Sequence, residues 1–237
     1  MLDEIGVGAG WRCVDLGCGP LGILDLLARR VGPTGAVVGV DRDPANYLAA
    51  LDLIGHRRNV TLVPADGRET PLPRGAFDLV HARLVCQETG AGPLLREMMA
   101  LVKPGGFVVL EEPGFEPWRI EPAPTGFEAL APAVTAAFLR RRSSAGPALA
   151  AQLRRHGAVG IETHEARLAF RGGHPYAAMP LFALLGARPA LLGARRASPA
   201  TLDRLAAELA RASRDPDIRH SSFPLWQVWG RRRGTRR

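Results

Sequence analysis

The stretch VDLGCGPLGILDLLA, residues Val14–Ala28, is an apolar run that breaks into glycines and resumes with helical spacing. Trp11–Leu16 reads as a strand, Gly17-x-Gly19-x-x-Gly22 as a tight turn, and Gly22–Val31 as a helix. Gly17 and Gly19 let the chain reverse sharply and bring backbone N–H groups toward a ligand at a helix N-terminus. Dinucleotide-binding turns share this spacing, so the glycines alone decide little. Asp15 decides more. A fixed carboxylate two positions before Gly17 repels a pyrophosphate and attracts a cationic ligand group. The plain alternative is a carboxylate that only caps the turn.

Outward from the turn, strand and helix patterns alternate. AVVGVD, Ala36–Asp41, is a β-branched run ending in an acid, as a buried parallel strand does. Pro44–Gly55 reads as a helix with Asp43 as N-cap and Pro44 in its first turn. Val60–Asp66 and Phe77–Leu84 are further strands, Gly92–Val102 an amphipathic helix, and Phe107–Pro113 a fifth strand. Five strands separated by helices predict a doubly wound parallel α/β sheet.

After Pro113 the texture changes. Gly114–Pro124 is rich in proline, glycine and acid, and Phe127–His156 has helical periodicity. Ala158–Phe170 is read as a sixth strand, Gly172–Asp217 as a loop with helices, and Ser221–Arg232 as a last strand. No internal repeat divides the chain, and one domain over residues 1–237 is the simplest organisation.

The chain has 237 residues, 31 Lys and Arg against 23 Asp and Glu, and a formal net charge of +8. Lys103 is the only lysine, and apart from Arg140–Arg142 and the tail from Gly230 the arginines are scattered. No aromatic series interleaves with them as a base-stacking groove needs, so a nucleic-acid partner is not expected. An uninterrupted apolar run of about 18–20 residues is also missing, so no membrane partner is expected. Cys13, Cys18 and Cys86 are sparse and odd in number, which points to reduced thiols in a cytoplasmic protein. The histidines show no metal-ligand spacing and the cysteines form no C-x-x-C pair, so no metal is expected.

Two more acids close successive strands. Asp41 ends the second, where a carboxylate takes both hydroxyls of a ribose. Asp66 ends the third in VPADGRE, where it can accept from an adenine amino group with the Gly67 N–H facing the ring. Three acids at the ligand-binding edge of one sheet are a stronger signal than any one of them.

These motifs, CVDLGCGPLGILDLLARRVGPTGAVVGVDRDP, VPADGRE, FDLVHARLV and LVKPGGFVVLEEP, resemble those of class I S-adenosylmethionine-dependent methyltransferases, especially bacterial small-molecule enzymes. The resemblance covers about Trp11 to Pro113, and LWQVWGRR fits the family's last strand. It implies a Rossmann-like seven-stranded sheet whose last strand lies antiparallel beside the sixth. It further implies a cofactor-binding half over 11–113 and helical inserts over 114–157 and 172–217 that form a substrate cap. Carried over by position, Asp15, Gly17 and Gly19 hold the methionine end of S-adenosyl-L-methionine and Asp41 the ribose. Asp66 and Gly67 meet the adenine, Arg42 stacks over it, and His81, Ala82 and Arg83 line the methionine end. Two departures stand out. Leu21 occupies the place of the family's usual third glycine, and only about ten residues precede the first strand. Inserts, missing upstream residues or a second subunit, as in a homodimer, are the three ways a lid over the cofactor is then completed.

The expected reaction is in-line transfer of a methyl group to an O, N or C atom of a small, apolar metabolite. Where the acceptor must lose a proton, His174 and Glu112 are the candidate bases, ahead of Glu111, His81 and Tyr176. A nicotinamide-dependent oxidoreductase is the competing enzyme, favoured by the glycine spacing and Asp41 but opposed by Asp15 and Asp66. A non-catalytic protein that binds S-adenosylmethionine is the competing non-enzyme.

Overall fold

The computed structural model describes residues 1–20, 22–86, 91–138 and 146–234. Leu21, Arg140–Arg142 and the last three residues of the basic tail lie outside the described residues. Strands are β1 (Arg12–Leu16), β2 (Ala36–Asp41), β3 (Val60–Pro64), β4 (Phe77–Arg83) and β5 (Val102–Pro113). They continue as β6 (Arg119–Glu121), β7 (Ala158–Ala166), β8 (Ala169–Arg171), β9 (Arg219–Ser221) and β10 (Leu225–Arg232). Helices are α1 (Leu2–Ile5), α2 (Leu24–Val31), α3 (Pro44–Ile54) and α4 (Ala91–Leu101). Then come α5 (Phe127–Phe138), α6 (Gly146–Arg155), α7 (Met179–Gly193) and α8 (Pro199–Ala212).

The chain divides into two compact units, residues 1–112 with 144–164 and 226–237, and residues 113–143 with 165–225. The first holds a seven-stranded sheet of order β3-β2-β1-β4-β5-β10-β7. Pairing is parallel from β3 through β5, and the last strand, β10, is the antiparallel one inserted beside β7. This is the doubly wound, Rossmann-like sheet that the sequence predicts.

Side-chain alternation along the strands decides what each face buries. Val14, Leu16, Val80, Val108 and Leu110 pack with Leu94, Leu95 and Met98 of α4 and Leu149 and Leu153 of α6. On the other face Cys13, Leu79 and Val109 pack with Leu24, Leu27 and Val31 of α2 and with Leu2 and Ile5. α2 forms because Leu24, Leu27, Ala28 and Val31 fall on one helical stripe, and all four are buried. Each fully buried leucine contributes roughly 2 kcal/mol. α3 begins where expected, with Asp43 accepting the Ala45 N–H at 2.8 Å and Pro44 following.

The helix Gly146–Arg155 belongs to the sheet unit, because its Leu149–Leu153 stripe completes that core. The predicted sixth strand is interrupted after Ala166, and β8 goes to a separate three-stranded sheet of order β6-β9-β8. The predicted last strand is likewise cut between Ser221 and Leu225, where Pro224 has no N–H for a ladder.

The second unit packs α5, α7 and α8 around Leu130, Val134, Leu184, Leu191, Leu202, Leu205 and Leu209. Pro175–Gly193 is long and apolar enough, by length and composition, to cross a membrane. Arg188 interrupts its apolar run, so a count of unbroken apolar residues passes over it. Ala183, Leu184, Ala187 and Leu191 of this segment are buried in the unit's own core, and Arg188 pairs with Asp203 at 2.7 Å.

Candidate cofactor and active site

The C-terminal ends of β1, β2 and β4 are neighbours in the sheet, in the register Asp15↔Gly39 and Asp15↔His81. The turn after β1 is shaped by its own hydrogen bonds. Gly17 and Cys18 both donate their N–H to the Val40 carbonyl, at 2.7 and 3.0 Å. The Gly19 N–H goes to Asp41 Oδ2 at 2.8 Å, and Asp41 Oδ1 accepts the Asp43 N–H at 2.9 Å. Glycine spacing alone points these N–H groups at a ligand. Instead all three are turned into β2 and its terminal acid, which leaves them unable to cradle a pyrophosphate. What the turn offers is the open face of Gly19, where a Cβ would meet nothing within 4 Å.

Gly17 and Gly22 are required by geometry. Gly17 has φ +68°, and a Cβ there would lie 2.5 Å from Val85 Cγ2. A Cβ on Gly22 would overlap the Cys18 carbonyl oxygen and come within 2.9 Å of Asp15 Oδ2. Gly22→Ala therefore forces backbone to move and displaces a buried carboxylate. The expected cost is roughly 1–3 kcal/mol, a fall of about 5 °C in the thermal midpoint followed by circular dichroism. An unchanged midpoint would mean that the turn has slack it does not show.

Asp15 is buried, only 2% exposed, and its Oδ1 meets His81 Nδ1 at 2.7 Å. His81 Nε2 meets Glu111 Oε1 at 2.8 Å, and Glu111 Oε2 accepts the Gln227 amide at 2.8 Å. The four residues come from β1, β4, β5 and β10 and form one hydrogen-bonded chain across the sheet, buried except at the half-buried Gln227. Burial alone would lower the His81 pKa, but the carboxylates of Asp15 and Glu111 outweigh it and raise it to about 9. Burial likewise pushes Glu111 up, and the bond and charge of His81, with Gln227 and Arg83, bring it down to about 2. Sequence reasoning places His81 and Asp15 at the cofactor's methionine end separately, and misses both their link and Gln227. Ala82 is fully buried in the opposite face.

Glu112, a candidate base, is fully buried on that opposite face, where its Oε1 accepts the N–H of Val85 and Cys86 at 3.0 and 2.8 Å. An oxygen holding two backbone donors is poorly placed to take a substrate proton. It clamps the loop after β4, whose Leu84 sits in the left-handed region at φ 60°. Arg83 is half-buried at the end of β4. His174 lies in the second unit. Its Nδ1 caps a short helical turn by accepting the Tyr176 N–H at 3.2 Å, and its ring stacks on Phe170.

Asp66 follows β3 on a partly exposed loop. Arg68 grips it with Nε at 2.9 Å and Nη2 at 2.6 Å, and Arg42 stands 3.7 Å away. The Arg68 bond, with smaller help from its backbone N–H, its charge and Arg42, holds the Asp66 carboxyl down at about 2 against a modest effect of burial. Arg42 is half exposed, and no contact fixes it above a ring plane. Gly67 lies against the turn, where a Cβ would come 3.3 Å from Leu16 Cβ.

All three cysteines are buried and reduced, and burial raises each thiol. Among the described residues no cluster of His, Cys, Asp and Glu could hold a metal. A cleft of about 560 Å³ opens beside Gly32, Ala36, Arg57 and Thr61, at the opposite, N-terminal edge of the strands.

Residues 13–106 match the family described as a methyltransferase domain. A demethylmenaquinone methyltransferase from Staphylococcus aureus is 31% identical over 113 residues, which is 47% of this chain and 47% of that protein. The chain spans less than half the length of the curated relatives it matches first. A methyltransferase from Aquifex aeolicus has a TM-score of 0.53 at 14% identity, over 94% of this chain and 86% of that one. A Haemonchus contortus phosphoethanolamine N-methyltransferase, solved with phosphomonomethylethanolamine and S-adenosylhomocysteine, gives 0.59 at 18% identity, over 99% of this chain and 51% of that one. These two likenesses are of fold. The sheet unit thus carries a stretch, residues 13–106, that matches a methyltransferase domain, and the fold of the chain is similar to that of S-adenosylmethionine-dependent methyltransferases.

Proposed function

We propose that the protein transfers a methyl group from S-adenosyl-L-methionine to a small-molecule acceptor. One observation carries this reading over a nicotinamide enzyme. The N–H groups of Gly17, Cys18 and Gly19 are spent on β2, and the buried carboxylate of Asp15 lies against the turn where a dinucleotide would bring its phosphates. A cationic, phosphate-free nucleoside suits such an edge. When bound, S-adenosylmethionine supplies a methyl group on a positive sulfonium, and the sulfur leaves neutral.

The chain's own residues then bind and align. Asp41, held by Gly19 and Asp43, takes the ribose hydroxyls. Asp66 and Gly67 meet the adenine, with Arg42 beside it. Asp15 contributes its charge from beneath the turn, and His81 to Arg83 line the methionine end. Alignment and exclusion of water supply most of the rate, because the leaving group needs no acid. For an acceptor that must lose a proton, we assign the base to His174 through Nε2, since Nδ1 is engaged by Tyr176. Glu112 we assign to its loop.

The acceptor we propose is a small, apolar metabolite accepting at O, N or C. One relative is named for demethylmenaquinone and one solved neighbour holds phosphomonomethylethanolamine, both small molecules. The second unit is rich in alanine, leucine and phenylalanine, and its Phe182 and Leu185 are exposed. This unit we assign to acceptor selection, as the cap expected from the sequence.

Calorimetric titration with S-adenosylmethionine, S-adenosylhomocysteine, NAD(H) and NADP(H) tests the reading. Micromolar binding of the two sulfur nucleosides and none of the nicotinamide nucleotides is expected. The opposite result would replace the methyltransferase with an oxidoreductase. Binding without turnover against a panel of phenols, amines and quinols would favour the non-catalytic binder.

A further inference from the structure

His81 is a buried ring whose two nitrogens each face a carboxylate oxygen within hydrogen-bond distance, Asp15 Oδ1 at 2.7 Å and Glu111 Oε1 at 2.8 Å. A neutral imidazole has a single N–H and would set one nitrogen lone pair against an ionised oxygen. With both acids ionised, the geometry calls for the doubly protonated ring, with one positive charge shared by two negative ones. Asp15 is also wedged beneath the glycine turn. It stands two residues before Gly17, its Oδ2 lies where a Cβ on Gly22 would reach 2.9 Å, and its charge acts on the Cys18 thiol.

We infer that His81 is a positioning residue that ties the conformation of the glycine turn, and through it the affinity for the cofactor, to the proton it shares between Asp15 and Glu111. The cofactor half of this inference rests on the methyltransferase reading above.

The charged groups facing the ring are Asp15 from β1 and Glu111 from β5. Arg83 of His81's own strand acts on Glu111, β10 contributes the uncharged Gln227 amide, and Asp41 of β2 acts with Asp15 on Cys18. When the ring loses its proton, whichever nitrogen keeps the other, one buried carboxylate loses its donor. The two acids then repel each other without a charge between them. Glu111 retains Gln227 on its far oxygen. Asp15 lies against the turn, so its relaxation is the proposed route from the ring's charge to the cofactor.

The test follows three signals from pH 6 to pH 10.5 in the ¹⁵N-labelled full chain and in Glu111→Gln. They are the His81 ring nitrogens, the backbone amides of Gly17, Cys18 and Gly19, and the calorimetric Kd of S-adenosylhomocysteine. In the wild type both ring nitrogens are expected to be protonated at pH 7. The turn amides should move with the ring's alkaline midpoint, and binding should weaken above it toward about tenfold per pH unit, the limit for one linked proton. Glu111→Gln keeps the size and an acceptor but removes one charge, so all three midpoints should move together toward acid, by about one unit. A purely structural histidine would leave the binding profile of Glu111→Gln where the wild type has it. Turn amides that ignore the ring's midpoint, or a binding limb that stays put while the ring's midpoint moves, overturn the inference. If the amides track the ring but the wild type binds no S-adenosylhomocysteine at pH 7, the turn coupling is upheld and the methyltransferase reading fails.

Discussion

His81→Leu is expected to lose roughly 3–5 kcal/mol of stability at pH 7, the usual result of stripping one partner from a buried charge pair. For a chain of this size that is a fall of about 10 °C in the unfolding midpoint. Leucine fills much of the volume of imidazole, so the loss is electrostatic and not a cavity effect. Two buried carboxylates, Asp15 at 2% and Glu111 at 5% exposure, would face each other with no donor between them. The sign of the pH dependence follows from the shifts. The His81 pKa is raised in the fold, so its contribution is complete below its ordinary value of 6.5 and is lost as pH rises through about 9. Glu111 is lowered, so its contribution is present above its ordinary 4.5 and is lost as pH falls through about 2. The difference between wild type and His81→Leu should thus be greatest near pH 5–6 and shrink toward both extremes, as read by urea unfolding across pH. Adding Asp15→Asn and Glu111→Gln to His81→Leu removes the stranded charges and should recover more than half of the loss. Equal midpoints for wild type and His81→Leu at pH 6 would show that no imidazolium bridges the two acids.

Most of this sheet is legible in the sequence because its strands are short apolar runs set between turn residues and helical spacing. Cys13, Asp15, Leu79, His81, Val109 and Glu111 share one face, and the acids and the histidine are simply the next residues outward from the apolar ones. Period two is enough to put Asp15, His81 and Glu111 on that one face, while the parallel register sets Asp15 opposite His81 and Glu111 one step further outward. Reading each strand for its own motif keeps them apart. Gln227 is out of reach of such a reading, since it enters only through the insertion of β10 next to β5, a long-range choice that no local pattern fixes. The direction of the turn's N–H groups is equally hidden. Glycine spacing says that the chain reverses, but Val40 and Asp41 decide where the donors point. Arg68 stands in plain view in VPADGRE, yet its grip on Asp66 depends on rotamers that the sequence does not record. The small sheet of β6, β8 and β9 fails to register because three-residue strands leave no periodicity to read.

Asp41→Asn is expected to weaken S-adenosylhomocysteine binding about 100-fold, close to the loss of one to two charge-assisted hydrogen bonds. In the wild type the two oxygens of Asp41 are already divided between neighbours, Oδ2 to the Gly19 N–H and Oδ1 to the Asp43 N–H. Each oxygen has a second lone pair, and those are what the ribose hydroxyls can use. An asparagine of the same shape has only one acceptor oxygen. Its amide must face either Gly19 or Asp43, donor against donor, so the turn or the start of α3 gives way before any ligand arrives. The carboxylate is only 8% exposed, so water cannot easily repair the mismatch. Asp66→Asn is the informative contrast. That side chain is partly exposed and gripped by Arg68, so its replacement should cost only about tenfold, within the range of one hydrogen bond to a charged group. Comparing the two by calorimetry at one pH separates the ribose from the adenine. A loss for Asp41→Asn no larger than that for Asp66→Asn would mean that Asp41 serves the turn alone, and that the ribose is held elsewhere.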